Sequence, residues 1–217
     1  MVPDLLVLDF DGVILESADI KTRAFRELFS CYPGHVGAIV AYHEANTGLS
    51  RFEKFRHIYR DILGKPLRAE EERVLGDRFS SLVLKEVMRC PFVPGAMEFL
   101  RRHSVQRSLF VASGTPEGEL RQIVESRGLV SLFRGVYGSP SGKPEILNGI
   151  LASTQTNRER ALFIGDGLSD YMAAKAVGIP FIGRTAPHKS KLFEGLDVPV
   201  VADLFELDRR LSDPAGI

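Results

Sequence analysis

The chain has little of what covalent cross-linking or a basic binding surface would require. Only Cys31 and Cys90 are cysteines, too few for a disulfide framework or a thiolate metal site. The 28 basic and 28 acidic side chains balance to a formal net charge of zero, which argues against a nucleic-acid protein that relies on a basic surface. The sequence shows no charged leader with an apolar signal core and no apolar run long enough to span a bilayer. We therefore expect a cytoplasmic protein without nucleic-acid or membrane partners.

A short apolar run near the start, which ends in two aspartates, organises the rest of the chain. Leu5–Leu8 is typical of a strand buried on both faces of a sheet, and Gly12 ends the strand with a turn. In an extended strand Asp9 and Asp11 would share one side, where two carboxylates need a cation or a shared proton. The carboxyl edge of such a sheet is where open α/β folds bind ligands. The alternative is a strand-ending turn with incidental aspartates.

The patterning divides the chain into a helical insertion and an alternating α/β part. Four helices without a convincing strand are indicated between the first strand and residue 90, and strands and helices alternate afterwards. This order predicts a Rossmann-like parallel sheet with helices on both faces, built from residues 1–15 and 91–217. Residues 16–90 would form a four-helix cap over the ligand edge of the sheet.

Polar groups follow three more of the predicted strands. Ser113 and Gly114 offer a hydroxyl and open N–H groups to an anion, although a plain helix cap is the alternative. Lys143 opens a helix, where a cation is disfavoured unless an anionic group faces it; the alternative is a solvated surface lysine. Asp166 follows a buried strand between two glycines, and Asp170 could be only a helix cap.

The aspartates Asp9, Asp11 and Asp166 together offer a hard, oxygen-only site suited to Mg²⁺. At this point the chain resembles the haloacid dehalogenase superfamily of phosphotransferases, and the helical insertion is similar to the cap of its phosphoglycolate phosphatase and β-phosphoglucomutase branch. All four motifs of the superfamily are present in order. They are Asp9-Phe10-Asp11-Gly12-Val13, Ser113, Lys143, and Gly165-Asp166 with Asp170.

The resemblance implies a Mg²⁺-dependent phosphatase that acts on a small phosphorylated metabolite, such as a sugar phosphate or phosphoglycolate. Asp9 would be the nucleophile that forms an aspartyl-phosphate, and Asp11 the general acid and base. The metal would be held by Asp9, Asp166 and the main-chain carbonyl of Asp11, with Asp170 supporting these ligands. The phosphoryl oxygens would be bound by Ser113, Gly114 and Lys143.

In this branch cap residues face the leaving group. Arg51 or Lys54 could meet a second anionic group, and His43 and Asn46 could bind hydroxyls; the alternative is a helix-capping turn with a solvated basic face. Alternatives to the phosphatase are a sugar phosphomutase of the same fold and a non-catalytic binding protein. A dehalogenase would not need Asp11, and a phosphonatase would need a reactive cap lysine, for which Lys21 or Lys54 stays open. The sequence does not indicate an oligomeric state.

Overall fold

The computed structural model describes residues 3–186 and 192–212 of the chain, and its central element is a parallel sheet of six strands within those residues. The strand order is β3-β2-β1-β4-β5-β6, so the first strand lies in the middle of the sheet. The strands are β1 Leu5–Leu8, β2 Ser108–Pro116, β3 Gly135–Ser139, β4 Ala161–Gly165, β5 Phe181–Arg184 and β6 Val200–Val201.

The register of the central strands places their carboxyl ends side by side. Leu5 is paired with Ser108 of β2 and with Ala161 of β4, and every pairing in the sheet is parallel. Because parallel strands end at the same edge, the residues that follow β1 and β4 and those near the end of β2 converge there. The expected α/β sheet is confirmed, and its ligand edge is defined by this register.

A helical unit occupies the chain between β1 and β2. Its residues Phe25, Phe55 and Phe79 form an aromatic core, with ring centroids 5.0 Å apart for Phe25 and Phe79 and 5.8 Å apart for Phe25 and Phe55. Helix α3 continues directly into a π-helical turn over Ile58–Ile62. The four helices are α1 Ala18–Leu28, α2 Val36–Ala45, α3 Arg51–His57 and α4 Ala69–Val87.

Helices cover both faces of the sheet. Alternate residues of β1 belong to two separate hydrophobic clusters, Leu6 and Leu8 in one and Leu5 and Val7 in the other, because side chains alternate along a strand. The first cluster includes residues of α5, α6 and α9, and the second includes residues of α7 and α8. These helices are α5 Ala96–Gln106, α6 Glu117–Ser126, α7 Lys143–Thr154, α8 Leu168–Val177 and α9 Leu204–Ser212.

The chain enters and leaves the helical unit through two segments that lie side by side. The N–H of Glu16 donates to the carbonyl of Pro91 at 3.0 Å, and the N–H of Val93 donates to the carbonyl of Ile14 at 3.0 Å. Two adjacent crossings are what an insertion into one loop of the sheet requires. The boundaries at residues 16 and 90 stay a prediction. In the described part of the chain, every helix is too short or too polar to span a bilayer.

Candidate active site

Three carboxylates meet at the carboxyl edge of the sheet. Asp9 follows β1, Asp166 follows β4, and Asp170 lies in the first turn of α8. One carboxylate oxygen from each lies within 4.8 Å of the others, and Asp9 and Asp170 are almost completely buried. Two strand ends and a helix start therefore bring Asp9 together with two acids that lie far from it in the sequence.

Lys143 lies beside these acids at the start of α7. Its Nζ contacts Oδ1 of Asp170 and lies 3.0 Å from Oδ2 of Asp9. Burial lowers the pKa of Lys143, but the carboxylates of Asp170 and Asp9 outweigh burial, so that the net pKa is raised and the amine stays protonated. The sequence left open whether an anionic group or solvent faces this lysine, and the structure places carboxylates there.

For Asp9, the positive charge of Lys143 does not outweigh burial and the neighbouring acids. Burial raises its pKa well above the usual range, Lys143 opposes that rise, and the neighbouring Asp170, Asp166 and Asp11 add to it. Its Oδ1 accepts a hydrogen bond of 2.7 Å from the N–H of Phe10. Its buried Oδ2 has no aligned hydrogen-bond donor among the described residues. A divalent cation at this oxygen would offset the repulsion among the acids.

Gly12 fits closely against Asp166. Its φ of 77° is in the left-handed region, and a Cβ at this position would lie 2.2 Å from Oδ2 of Asp166. Only glycine therefore lets the loop after β1 approach the carboxylate after β4. Buried carboxylate oxygens with an adjoining main-chain loop form the donor set that suits Mg²⁺, and Asp9 and Asp166 are the residues that could hold it.

Asp11 lies in a different environment from Asp9, and the group of three acids within 4.8 Å in the described structure does not include it. Its carboxylate accepts hydrogen bonds from Oγ of Ser17 at 2.6 Å, from Oγ1 of Thr115 at 2.9 Å and from Nζ of Lys21. Burial raises the pKa of Asp11, but Lys21 and these hydrogen bonds outweigh burial and leave the net pKa lowered. The two aspartates of the first motif are thus electrostatically distinct.

Lys21 and Thr115 are residues of the site whose contacts with Asp11 the sequence did not reveal. The sequence suggests Lys21 only as a candidate reactive lysine of a phosphonatase. In the structure its Nζ bridges the carboxylate of Asp11 and Oγ1 of Thr115, to which it donates at 2.8 Å. A signal was present in the spacing, because Ser17 and Lys21 are four residues apart at the start of α1 and so share a helix face. That face points at Asp11.

The residues after the core of β2 form the next wall of the site. Strand β2 runs on through these residues to Pro116, which pairs with Ser139 of β3 after a register shift. Oγ of Ser113 accepts a hydrogen bond of 3.1 Å from the N–H of Thr115. Ser113 and Gly114 line the cavity beside Asp9, where their polar groups could meet an anion.

A cavity of about 50 Å³ separates the sheet edge from the helical unit. Three of the four cap residues predicted to face the leaving group, His43, Arg51 and Lys54, line it. Asn46 is not among its lining residues; its Nδ2 donates to the carbonyl of Tyr42 at 2.8 Å, at the end of α2. The structure thus brings three predicted cap residues to the cavity and uses the fourth to cap a helix.

Arg51 and Lys54 differ in their partners. Arg51 donates to both carboxylate oxygens of Glu119 on α6, at 3.1 and 2.6 Å, and to Oγ of Ser80 at 2.6 Å. Nζ of Lys54 lies 3.1 Å from Nδ1 of His43. The His43 ring in turn stacks on the ring of Phe25, with centroids 4.2 Å apart. Burial, joined by the nearby lysines, lowers the pKa of Lys54 to about 7.

The loop between α2 and α3 lies directly on the sheet edge. A Cβ on Gly114 would lie 2.6 Å from the carbonyl oxygen of Gly48, and one on Gly167 would lie 2.5 Å from that of Thr47. Oγ of Ser169 donates to the same Thr47 carbonyl. The helical unit therefore closes over the carboxylates, with little space between the two backbones.

The parallel sheet, the acids at its carboxyl edge and the helical unit above them define an α/β protein with an acidic site at the edge of its sheet. Residues 6–184 match the family model described as haloacid dehalogenase-like hydrolase. The chain belongs to this family, and the superfamily predicted from the motifs is confirmed.

Curated relatives and solved structures agree with this assignment. A phosphoglycolate phosphatase from Pseudomonas putida is 23% identical over 98% of this chain and 81% of its own. A phosphoglycolate phosphatase from Salmonella typhimurium is 30% identical over 60% of this chain and 57% of its own. The structure of a predicted phosphatase from Clostridium acetobutylicum superposes with a TM-score of 0.76 at 18% identity, covering 98% of this chain and 99% of the other. At that identity the likeness shows the fold alone.

Proposed function

We propose that the protein is a Mg²⁺-dependent phosphatase that hydrolyses a small phosphorylated metabolite through an aspartyl-phosphate intermediate. The observation that carries the proposal is the setting of Asp9. Its Oδ2 is buried without an aligned hydrogen-bond donor, 3.0 Å from the ammonium of Lys143 and beside a cavity closed by the helical unit. A carboxylate held in this way can attack a phosphorus atom placed in that cavity.

Asp9 begins the reaction by forming a bond from a carboxylate oxygen to phosphorus as the bond to the leaving oxygen breaks. The attack is productive only if Asp9 is ionised, which its raised pKa opposes. Lys143 favours the ionised form, and a divalent cation would do so further. Water then attacks the phosphorus of the aspartyl-phosphate, which releases inorganic phosphate and restores the carboxylate.

Asp11 is the acid and base of the proposed reaction. It protonates the leaving oxygen in the first step and takes a proton from the attacking water in the second. The hydrogen bonds from Ser17, Thr115 and Lys21 fix its orientation. Because they also lower its pKa, the ionised form dominates at rest, which suits the second step. For the first step Asp11 must take up a proton, from solvent or from the substrate phosphate, before it passes that proton to the leaving oxygen.

When bound, Mg²⁺ supplies positive charge that offsets repulsion between the carboxylates and the phosphoryl group. Asp9, Asp166 and the main-chain carbonyl of Asp11 would hold it, with Asp170 in support. Asp170 also contacts Lys143 and accepts a hydrogen bond of 3.0 Å from the N–H of Gly167, which fixes its carboxylate. This arrangement is typical of a residue that orients others.

The phosphoryl oxygens would be bound by Ser113, the N–H of Gly114 and Lys143. Ser113 and Gly114, near the end of β2, line the cavity beside Asp9, and Lys143, at the start of α7, has its Nζ 3.0 Å from Oδ2 of Asp9. As charge spreads over the equatorial oxygens in the transition state, such fixed donors stabilise it more than they stabilise the substrate.

The cap contacts favour a phosphatase over a phosphomutase. A mutase must hold a second phosphoryl group while the intermediate turns over, and Arg51 is the cap residue best suited to a phosphate. Its guanidinium is already bound by both oxygens of Glu119, so that a second phosphoryl group there would meet a carboxylate. Lys54 and His43, which contact each other at 3.1 Å, line the cavity and could meet a smaller polar or anionic group there.

A panel of phosphorylated metabolites tests the proposed function. Phosphoglycolate is the first substrate to test, because the curated relatives are named phosphoglycolate phosphatases. Hexose and pentose phosphates follow. We expect phosphate release that depends on Mg²⁺, stops with chelator and shows a preferred substrate. Isomerisation of a hexose phosphate stimulated by its bisphosphate would support the mutase instead. Phosphate-ester binding without turnover of any substrate would support a binding protein.

The cytoplasmic location also stays a prediction.

A further inference from the structure

A buried arginine shares a small cavity with Asp166 and contacts the loop that follows Asp9 and Asp11. Arg184 is the last residue of β5 and is 4% exposed. Its strand is separated from β1 by β4, so the side chain reaches across the end of β4 to the loop after β1. No motif in the sequence pointed to this residue.

Every nitrogen of the Arg184 guanidinium is engaged. Nη1 donates to the carbonyl of Gly12 at 3.0 Å and to Oε2 of Glu16 at 3.1 Å, and Nη2 donates to Oε1 of Glu16 at 2.6 Å. Nε donates to the carbonyl of Ala202 at 3.0 Å. The planar fork of an arginine can bind a carboxylate with two parallel hydrogen bonds, which a lysine cannot do.

These contacts hold both ends of the loop from Gly12 to Glu16. Gly12 is the residue whose backbone fits against Asp166, and it directly follows Asp11. Glu16 lies where the chain crosses into the helical unit, paired through its N–H with Pro91. A shift of this loop would therefore move the carbonyl of Asp11 relative to Asp166.

We propose that Arg184 is a positioning residue for the metal site, which holds the loop after β1 so that Asp11 and Asp166 keep the spacing that a divalent cation needs. The inference rests on the proposed function, because that function places the metal between these groups. Arg184 acts through the Gly12 carbonyl and Glu16 and does not touch the reacting atoms. Residues that orient metal ligands change metal affinity by roughly tenfold to a hundredfold when they are replaced.

Arg184→Lys tests this role, because it keeps the positive charge but cannot form the fork with Glu16. Binding of Mn²⁺, followed by its electron paramagnetic resonance signal, measures the metal site without turnover. We expect the dissociation constant to rise by roughly tenfold or more. Maximal phosphate release should then need more Mg²⁺ and should be largely restored at saturating Mg²⁺.

Arg127→Lys is the matched control. Arg127 likewise donates to two main-chain carbonyls, those of Met88 at 2.9 Å and Cys90 at 2.8 Å, near the other crossing segment. Its replacement should leave Mn²⁺ affinity unchanged. Glu16→Gln removes the ion pair while leaving Arg184 in place, and should weaken Mn²⁺ binding severalfold. If Arg184→Lys does not fold, Glu16→Gln decides the question.

Wild-type Mn²⁺ affinity and Mg²⁺ dependence in the folded Arg184→Lys and Glu16→Gln variants would overturn the inference. An equal loss of Mn²⁺ affinity in Arg127→Lys would overturn it as well. The loss would then reflect a general destabilisation of the segments that cross between the helical unit and the sheet domain. Failure of the proposed function gives a different result, namely no phosphate release by the wild-type protein from any substrate.

Discussion

Arg51 of the helical unit and Glu119 of α6 are joined by two parallel hydrogen bonds of 3.1 and 2.6 Å, which connect the unit to the sheet domain beside the cavity. Oγ of Ser80 bonds to both partners, at 2.6 Å to each. The side chain of Arg51 is 4% exposed. Loss of Glu119 would therefore leave a buried cation without its carboxylate.

Glu119→Gln should lower the free energy of unfolding by about 1–3 kcal/mol and raise KM, because the closed position of the helical unit loses a charge-assisted contact. Chemical denaturation and steady-state phosphate release measure the two effects. Glu125→Gln, on the exposed side of the same helix, is the control and should change neither. Equal stability and KM in the two variants would show that the pair does not hold the unit closed.

Gly114→Ala should separate the helical unit from the sheet edge, because the added Cβ would lie 2.6 Å from the carbonyl oxygen of Gly48. We expect kcat/KM to fall by roughly tenfold to a hundredfold, since a misplacement of about 1 Å suffices for such losses. Gly149→Ala on α7, where a Cβ meets nothing within 4 Å, should leave kcat/KM unchanged and stabilise the protein by about 0.5–1 kcal/mol. Wild-type kcat/KM in Gly114→Ala would contradict the close fit.

Lys21→Met should impair proton transfer to the leaving group, because Asp11 loses the ammonium that orients its carboxylate. Loss of that charge also raises the pKa of Asp11, so the expected defect lies in the orientation of the carboxyl group and not in its protonation. The loss in kcat/KM should be larger for an alkyl phosphate than for p-nitrophenyl phosphate, whose leaving group needs little protonation. Arg23→Met is the control on the same helix, since Arg23 forms only an exposed pair with Glu86 in the described structure. A uniform loss for both substrates would assign Lys21 a merely structural role.

The affinity for a doubly anionic substrate should fall as the pH rises, because the amine of Lys54 loses its positive charge. Its pKa is lowered to about 7 by burial, so that it loses its positive charge from slightly acidic to alkaline pH. The charged groups that act on it are Lys21, Asp166, Lys143 and Asp11. We expect KM for phosphoglycolate to rise above about pH 7 in the wild type, because the protonated amine is the binding form.

Lys54→Arg supplies the control for this pH dependence, because an arginine stays charged throughout the range. Its KM should follow only the ionisation of the substrate and of the other site residues. The same pH profile of KM in both proteins would mean that the Lys54 amine does not bind the substrate anion.

The sequence predicted the elements of this molecule better than their long-range contacts. The apolar strand before Asp9 and the strand before Asp166 follow from hydrophobic patterning, and parallel topology then brings both acids to one edge. Arg51 contacts Glu119, 68 residues away, and Arg184 contacts Gly12, 172 residues away. Hydrophobic periodicity indicates which face of an element is buried, but it does not identify the distant partner of a polar side chain. The sequence also does not show that the side-chain amide of Asn46, a candidate for binding a hydroxyl, donates to the carbonyl of Tyr42 at the end of α2.

Phosphate release by Asp9→Asn tests the central claim most directly. The substitution keeps the shape of the side chain but removes the nucleophilic carboxylate, so kcat on the preferred substrate should fall by at least about a thousandfold. Asp4→Asn is the control, because Asp4 is an exposed acid just before β1 that pairs with Arg160. The predicted result is a large loss of kcat in Asp9→Asn and full activity in Asp4→Asn. Wild-type turnover in a folded Asp9→Asn protein would contradict the assignment of Asp9 as the nucleophile.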